Sequence, residues 1–355
     1  MAASQGDAAL ETLLLPIDAG RIAWPDDGVL FLRARSGPAL QRHTRPGLLC
    51  EQSFRPAADA LQAAGFTLRA GKARLYSLVL LLPPRQRLEA RALMAHALQC
   101  LAPGGRIVAC VSNVDGARAS EADLTQLAGP LEVLSKHKCR VYWTAPNSGQ
   151  SDGALAEAWA ALDSVRPIAD VRFVSRPGLF AWDRIDPASQ LLAQQLPADL
   201  RGRAADLGAG FGFLSAELLQ RCPLIAALDV FEAEQRALDL ARRNLAAFAA
   251  RVALEYHWHD VTQGLSQRYD VIVTNPPFHT HQGAERLDIG RRFIAVAAAS
   301  LKPGGSLWLV ANRHLPYEQI LDASFGRVRI VTQQAGFKII EAVRMVAPTA
   351  LRRRT

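Results

Sequence analysis

Tyr269-Asp270-Val271-Ile272-Val273-Thr274-Asn275-Pro276-Pro277-Phe278 begins as a largely apolar run and ends in a stiff polar segment. The first part reads as a buried strand, and the Asn-Pro-Pro-Phe reads as the loop at its carboxyl end. Two adjacent prolines stiffen that loop and remove two backbone donors, which leaves carbonyls free to accept. Asn275 adds a neutral side-chain acceptor and Phe278 a flat apolar face. Such a loop suits a planar group with an exocyclic NH2, such as a nucleobase.

The stretch has an echo upstream in Tyr76-Ser77-Leu78-Val79-Leu80-Leu81-Leu82-Pro83-Pro84. A helical segment follows each, then Pro103-Gly104-Gly105 or Pro303-Gly304-Gly305, then a strand ending in Val111-Ser112-Asn113 or Val310-Ala311-Asn312. A period of about 200 residues with matched landmarks implies an internal duplication. The expected fold is therefore α/β: two tandem Rossmann-like domains, each a mostly parallel sheet with helices on both faces. The copies differ where chemistry would sit, since Leu82 stands for Asn275 and Arg85 for Phe278. We expect a degenerate copy over 1–143 serving folding or RNA binding, a linker rich in turn formers over 144–170, and a catalytic domain over 171–355.

In the second copy, strands are expected over 204–207, 224–230, 252–257, 269–274 and 306–310, with helices over 213–221, 232–250 and 290–301. Alternation of this kind implies a parallel sheet whose ligands bind at the carboxyl ends of its strands. Asp206-Leu207-Gly208-Ala209-Gly210-Phe211-Gly212 falls at one such end. Gly208, Gly210 and Gly212 permit a tight turn and close cofactor approach, and the helix behind them favours a carboxylate. The spacing is Gly-x-Gly-x-Gly, not the Gly-x-Gly-x-x-Gly of dinucleotide folds, and Asp206 offers a partner for a ligand ammonium. Asp229 closes the next expected strand and is the candidate for two ribose hydroxyls, with helix capping as its alternative. Asp260 is the candidate acceptor for an adenine amino group, although a surface-turn acid reads similarly. His257, His259, His279 and His281 lack metal-ligand spacing, so no metal is expected, and His279 is placed in the acceptor pocket.

The chain of 355 residues carries a net charge of +8, with arginine pairs at Arg33/Arg35, Arg42/Arg45 and Arg291/Arg292 and a run over 352–354. Guanidinium forks and a positive field suit a polyanion, while an Arg- and Ala-rich genome is the alternative source of the same excess. The apolar runs are strand-sized, so no membrane span is expected. The first residues lack a basic segment followed by an apolar core, so a cytoplasmic location is expected. Cys50, Cys100, Cys110, Cys139 and Cys222 are scattered and read as reduced thiols.

Residues 206–215, Asp229, Asn275 through His279 and Pro177-Gly178-Leu179-Phe180 resemble class I S-adenosylmethionine-dependent methyltransferases. More narrowly they resemble the bacterial small-subunit ribosomal RNA methyltransferase C family, which methylates guanine N2. Ala311-Asn312-Arg313-His314-Leu315-Pro316-Tyr317, Phe325-Gly326 and Gly336-Phe337-Lys338 are similar to that family as well. The resemblance covers about residues 171–345, and the N-terminal half matches in layout. One departure is Asp186-Pro187-Ala188-Ser189, where the family usually has Gly before Ser.

The resemblance implies S-adenosylmethionine as cofactor, leaving as S-adenosylhomocysteine, held by Asp206, Gly208, Gly210, Gly212, Asp229, Asp260 and Asn275. It implies that Asn275, Pro276, Pro277 and Phe278 carry catalysis. Asn275 Oδ1 and the Pro276 carbonyl would accept the amine hydrogens, and Phe278 would stack on the extruded base. The implied partner is RNA of the small ribosomal subunit; the sequence leaves the oligomeric state open, with a monomer favoured. Methylation of adenine N6 or of a protein glutamine remains an alternative, as does a non-catalytic RNA-binding or assembly protein. A dehydrogenase is more remote.

Overall fold

Tyr269–Thr274 forms a strand with the bounds its pattern indicates. The computed structural model describes residues 7–26, 28–45, 47–69, 74–149, 152–169, 171–277 and 287–345. Phe278, His279, His281 and the arginines over 352–354 lie outside the described residues. Two compact units are present, Met1–Val165 with Arg176–Gly178, and Arg166–Ser175 with Leu179–Thr355.

The first unit holds β1 (Val29–Leu32), β2 (Leu48–Glu51), β3 (Thr67–Leu68), β4 (Tyr76–Leu81), β5 (Leu101–Ser112), β6 (Leu131–Lys136) and β7 (Cys139–Thr144). Their order across the sheet is β3-β2-β1-β4-β5-β7-β6. The second unit opens on a small antiparallel hairpin, β8 (Arg166–Ile168) and β9 (Phe173–Ser175). Its sheet holds β10 (Arg201–Leu207), β11 (Leu224–Glu232), β12 (Ala253–Trp258), β13 (Tyr269–Thr274), β14 (Leu301–Asn312), β15 (Arg327–Gln334) and β16 (Phe337–Val343). The order, β12-β11-β10-β13-β14-β16-β15, repeats that of the first unit strand for strand. In each sheet the first five strands pair in parallel and the last two form an antiparallel hairpin.

Period-2 alternation builds two cores on each sheet. In the second unit, Ala204, Val271, Val273, Trp308 and Val310 pack on one face, and Ala205, Leu207, Ile272, Leu307 and Leu309 on the other. A parallel sheet covered on both faces needs apolar residues at every position, which explains the continuous runs. The Pro-Gly-Gly turns are structurally equivalent too. A Cβ on Gly105 or Gly305 would lie 3.0 Å from backbone carbonyl oxygens, including those of Ser77 or of Tyr269 and Asp270 on the neighbouring strand, so glycine eases the close approach at either bulge.

Register identifies the equivalent positions. Leu32 pairs with Leu81 and Leu207 with Thr274, so Leu82 stands at the place of Asn275 and Arg33 at that of Gly208. Arg33 adopts φ 56°, the left-handed conformation that Gly208 holds at φ 73°. Its guanidinium pairs with the buried Glu89 and donates to Ser53 Oγ at 3.4 Å. The first unit thus places a long cation at the turn that the second leaves bare. Within the stretch expected between the copies, Gly153–Ala160 is a helix capped by Asp152, and its Trp159 is buried beneath Arg91 of the first unit.

Candidate active site

Three strand ends of the second unit meet at the site. Asp206 and Leu207 end β10, after which Gly208, Gly210 and Gly212 take φ of 73°, 57° and 90°. Gly208 N and Ala209 N both donate to Phe231 O, at 2.9 and 3.0 Å, which folds the turn back over β11. A Cβ on Gly210 would meet nothing within 4 Å, so the backbone is open to a ligand there. A Cβ on Gly212 would lie 3.2 Å from Ala241, where the helix Phe213–Arg221 packs close to its neighbour. Thr274 Oγ1 donates to Leu207 O at 2.7 Å and fastens the head of the Asn-Pro-Pro loop beside the glycine turn.

The resulting cavity is lined by Asp206, Gly208, Gly210 and Asn275 together with Phe180, Asp186 and Ser189. Asp206 is buried and accepts from Ser215 Oγ at 2.7 Å. Burial, then the nearby Glu232 charge, pushes its carboxyl up to about 7 against the Ser215 hydrogen bond. A cationic ligand group would relieve that cost.

Asn275 is oriented by its nitrogen. Nδ2 donates to Asp186 Oδ2 at 2.9 Å and to Ser189 Oγ at 2.8 Å. Reversing the amide would set its oxygen against a carboxylate, so the assignment is chemically determined. Asp186 is held in turn as the cap of helix Pro187–Gln195, accepting from Ser189 N at 2.9 Å. The segment that departs from the family pattern is therefore the one that fixes the central residue. Among the described residues no donor reaches Asn275 Oδ1. Pro276 is buried and Pro277 exposed.

Asp229 is not at the mouth. Strand β11 runs three residues beyond it, and Asp229 lies fully buried in mid-strand, opposite Ala205. Its oxygens accept from Arg203 Nη2 at 2.7 and 2.9 Å and from Tyr269 Oη at 2.6 Å. The expectation of a ribose contact is corrected by that geometry. The acid at the end of β11, beside the glycine turn, is Glu232. Glu232 Oε2 accepts from Gly210 N at 2.7 Å and Oε1 from Glu234 N at 2.8 Å, and burial raises its pKa.

Asp260 follows β12, on the same edge of the sheet, and its Oδ1 accepts from Thr262 N and Oγ1 at 2.9 and 2.7 Å. Neither Asp260 nor Gly212 lines the cavity. His257 stacks on Phe231 at 4.4 Å, and His259 Nε2 lies 2.8 Å from Gly264 O. Asp229, Glu255 and His257 bring ligand atoms within 4.8 Å of one another. The Arg203 guanidinium already bonds Asp229 and stands 3.4 Å from Glu255, so a cation of the protein fills that cluster.

Two further residues shape the cavity. Phe180, 70% exposed, stands on its rim. Asn244 donates to Val174 O at 3.0 Å and Phe211 O at 2.7 Å and accepts from Val174 N at 2.8 Å. That amide uses all its strong donors to tie hairpin β8–β9 to the glycine turn. No helix among the described residues is long and apolar enough to cross a membrane.

The family model that matches is the methyltransferase small domain, over residues 170–341. The ribosomal RNA small subunit methyltransferase C of Erwinia tasmaniensis is 30% identical over 262 residues, 74% of each chain. That of Salmonella typhi is 30% identical over 260 residues, 73% of each. The structure of the T. thermophilus 16S rRNA N2 G1207 methyltransferase, in complex with AdoMet and guanosine, superposes with a TM-score of 0.79. It is 27% identical, and the match covers 96% of this chain and 94% of that one.

Proposed function

The chain belongs to the ribosomal RNA small subunit methyltransferase C family, and we propose that its second unit is the catalytic one. The protein transfers a methyl group from S-adenosylmethionine to the exocyclic N2 amine of a guanine in 16S ribosomal RNA. The observation that carries this reading is the locked amide of Asn275, whose Nδ2 is committed to Asp186 and Ser189 in a cavity also lined by Asp206 and Gly210, leaving Oδ1 without a donor among the described residues.

The residues fit the cofactor. Asp206 is a buried carboxyl with a raised pKa, suited to an ammonium group. Glu232, pre-set by two backbone N–H groups, is suited to ribose hydroxyls, and Gly210 leaves the space a Cβ would fill. S-adenosylmethionine supplies the electrophilic methyl group. The chain has to supply orientation and an environment for a poor nucleophile, since the lone pair of an aryl amine is delocalised into its ring. Asn275 Oδ1 and the Pro276 carbonyl accept the two amine hydrogens, localising the lone pair and aiming it. Phe180 and Phe278 offer faces for the base once it leaves its stack. No strong base is needed, because the amine proton becomes acidic once the nitrogen is alkylated.

The first unit serves folding or RNA binding, and Arg33 at the equivalent of Gly208 supports its loss of the cofactor. RNA of the small subunit is the macromolecular partner, engaged by a monomer. Five buried free thiols are in keeping with a cytoplasmic protein. The test is nucleoside analysis of small-subunit RNA methylated by the protein. N2-methylguanosine is expected, and N6-methyladenosine or no modified nucleoside would refute the assignment.

A further inference from the structure

We propose that Asp186 is a positioning residue for methyl transfer that acts through Asn275, its carboxylate polarising the amide so that Oδ1 accepts more strongly from the guanine amine. The inference rests on the guanine-N2 reading of the second unit. Both hydrogens of Asn275 Nδ2 are committed, one to Asp186 Oδ2 at 2.9 Å and one to Ser189 Oγ at 2.8 Å. An amide is a resonance hybrid, and a negative charge on its N–H side favours the form with charge on oxygen. Linked hydrogen bonds polarise one another in this way, and those to a charged acceptor are the stronger ones.

The arrangement gives Oδ1 part of a carboxylate's accepting power while keeping position 275 itself neutral. A carboxylate at 275 would face Asp186 across 2.9 Å with no hydrogen between them. Asp186 is well placed for the task because it does not move freely. It caps helix Pro187–Gln195 through Ser189 N, and that helix is anchored by the buried Ala188, Leu191 and Leu192. Asp186, Ser189 and Asn275 all line the cavity, so the relay lies beside the reacting group.

Asp186→Asn separates charge from geometry. An amide oxygen at that site can still accept from both Ser189 N and Asn275 Nδ2, so the cap and the orientation persist and only the charge goes. For the full chain acting on small ribosomal subunits, kcat for N2-methylguanosine formation should fall on the order of tenfold. Cofactor Kd and melting temperature should stay near wild type. Asn275→Asp should be inactive because two carboxylates then meet, and combining it with Asp186→Asn should restore turnover above that of Asn275→Asp alone. Wild-type kcat in Asp186→Asn, a matching loss of cofactor affinity, or a double variant no better than Asn275→Asp would overturn the proposal. Absence of N2-methylguanosine from the wild-type reaction would instead sink the underlying reading, and this proposal with it.

Discussion

Gly210 N donates to Glu232 Oε2 at 2.7 Å, whereas Asp229, three residues earlier on the same strand, is spent on Arg203 and Tyr269 inside the sheet. The two acids should therefore fail differently. Glu232→Ala should weaken cofactor binding while the fold holds. Asp229→Ala should leave cofactor affinity nearly unchanged and cost about 3 kcal/mol of stability, because it strands a partly buried guanidinium and a buried phenol. Calorimetric titration and denaturant unfolding of both variants decide the matter; a cofactor defect confined to Asp229→Ala would reverse the assignment.

Cofactor affinity should depend on pH through Asp206, whose carboxyl is raised to about 7. A raised acid binds its proton more tightly in the folded state. The ligand-free protein should thus lose stability as pH climbs from about 4 through 7. An ammonium ligand needs the ionised form, so affinity should rise by up to roughly tenfold per pH unit below 7 and level off above it. It should decline again where the ligand's own amine deprotonates, near pH 8. Titrations across that range, repeated with Asp206→Asn, should show the acid limb only in the wild type.

One cofactor should bind per chain. Arg33 takes the left-handed turn position of Gly208 and pairs with Glu89, so the first unit lacks the bare backbone the second offers. Calorimetry with a stoichiometry near two would show that the first unit still binds.

Phe180, 70% exposed on the cavity rim, should contribute to holding the base. Base–aromatic stacking is worth about 1–3 kcal/mol. Phe180→Ala should therefore raise KM for the RNA about fivefold or more, with cofactor Kd unmoved. Equal loss of cofactor binding would assign Phe180 to the other ligand.

Much of this was legible in the sequence because local pattern and chain order carry it. Tyr269–Thr274 and the helix Phe213–Arg221 have the bounds their patterns indicate. The repeated Tyr…Pro-Pro and Pro-Gly-Gly landmarks reported a duplication that both strand orders repeat. Asp229 was misplaced because β11 continues to Glu232, and strand ends are poorly marked when the residues beyond them remain apolar, as Val230 and Phe231 do. A register argument would have found Glu232: Asp206 pairs with Val230, so the residue beside Gly208 is two further on. The bonds from Asn275 to Asp186 and Ser189 span 89 and 86 residues, and no local pattern reveals contacts of that range.

The most direct test is single-turnover transfer of labelled methyl from S-adenosylmethionine to small ribosomal subunits, comparing wild type with Asn275→Ala and measuring cofactor Kd for both. The wild type should form N2-methylguanosine, and the variant should lose on the order of a hundredfold or more in rate while its cofactor Kd barely changes. A variant that turns over at the wild-type rate, or that loses rate only in proportion to cofactor binding, would contradict the role assigned to Asn275.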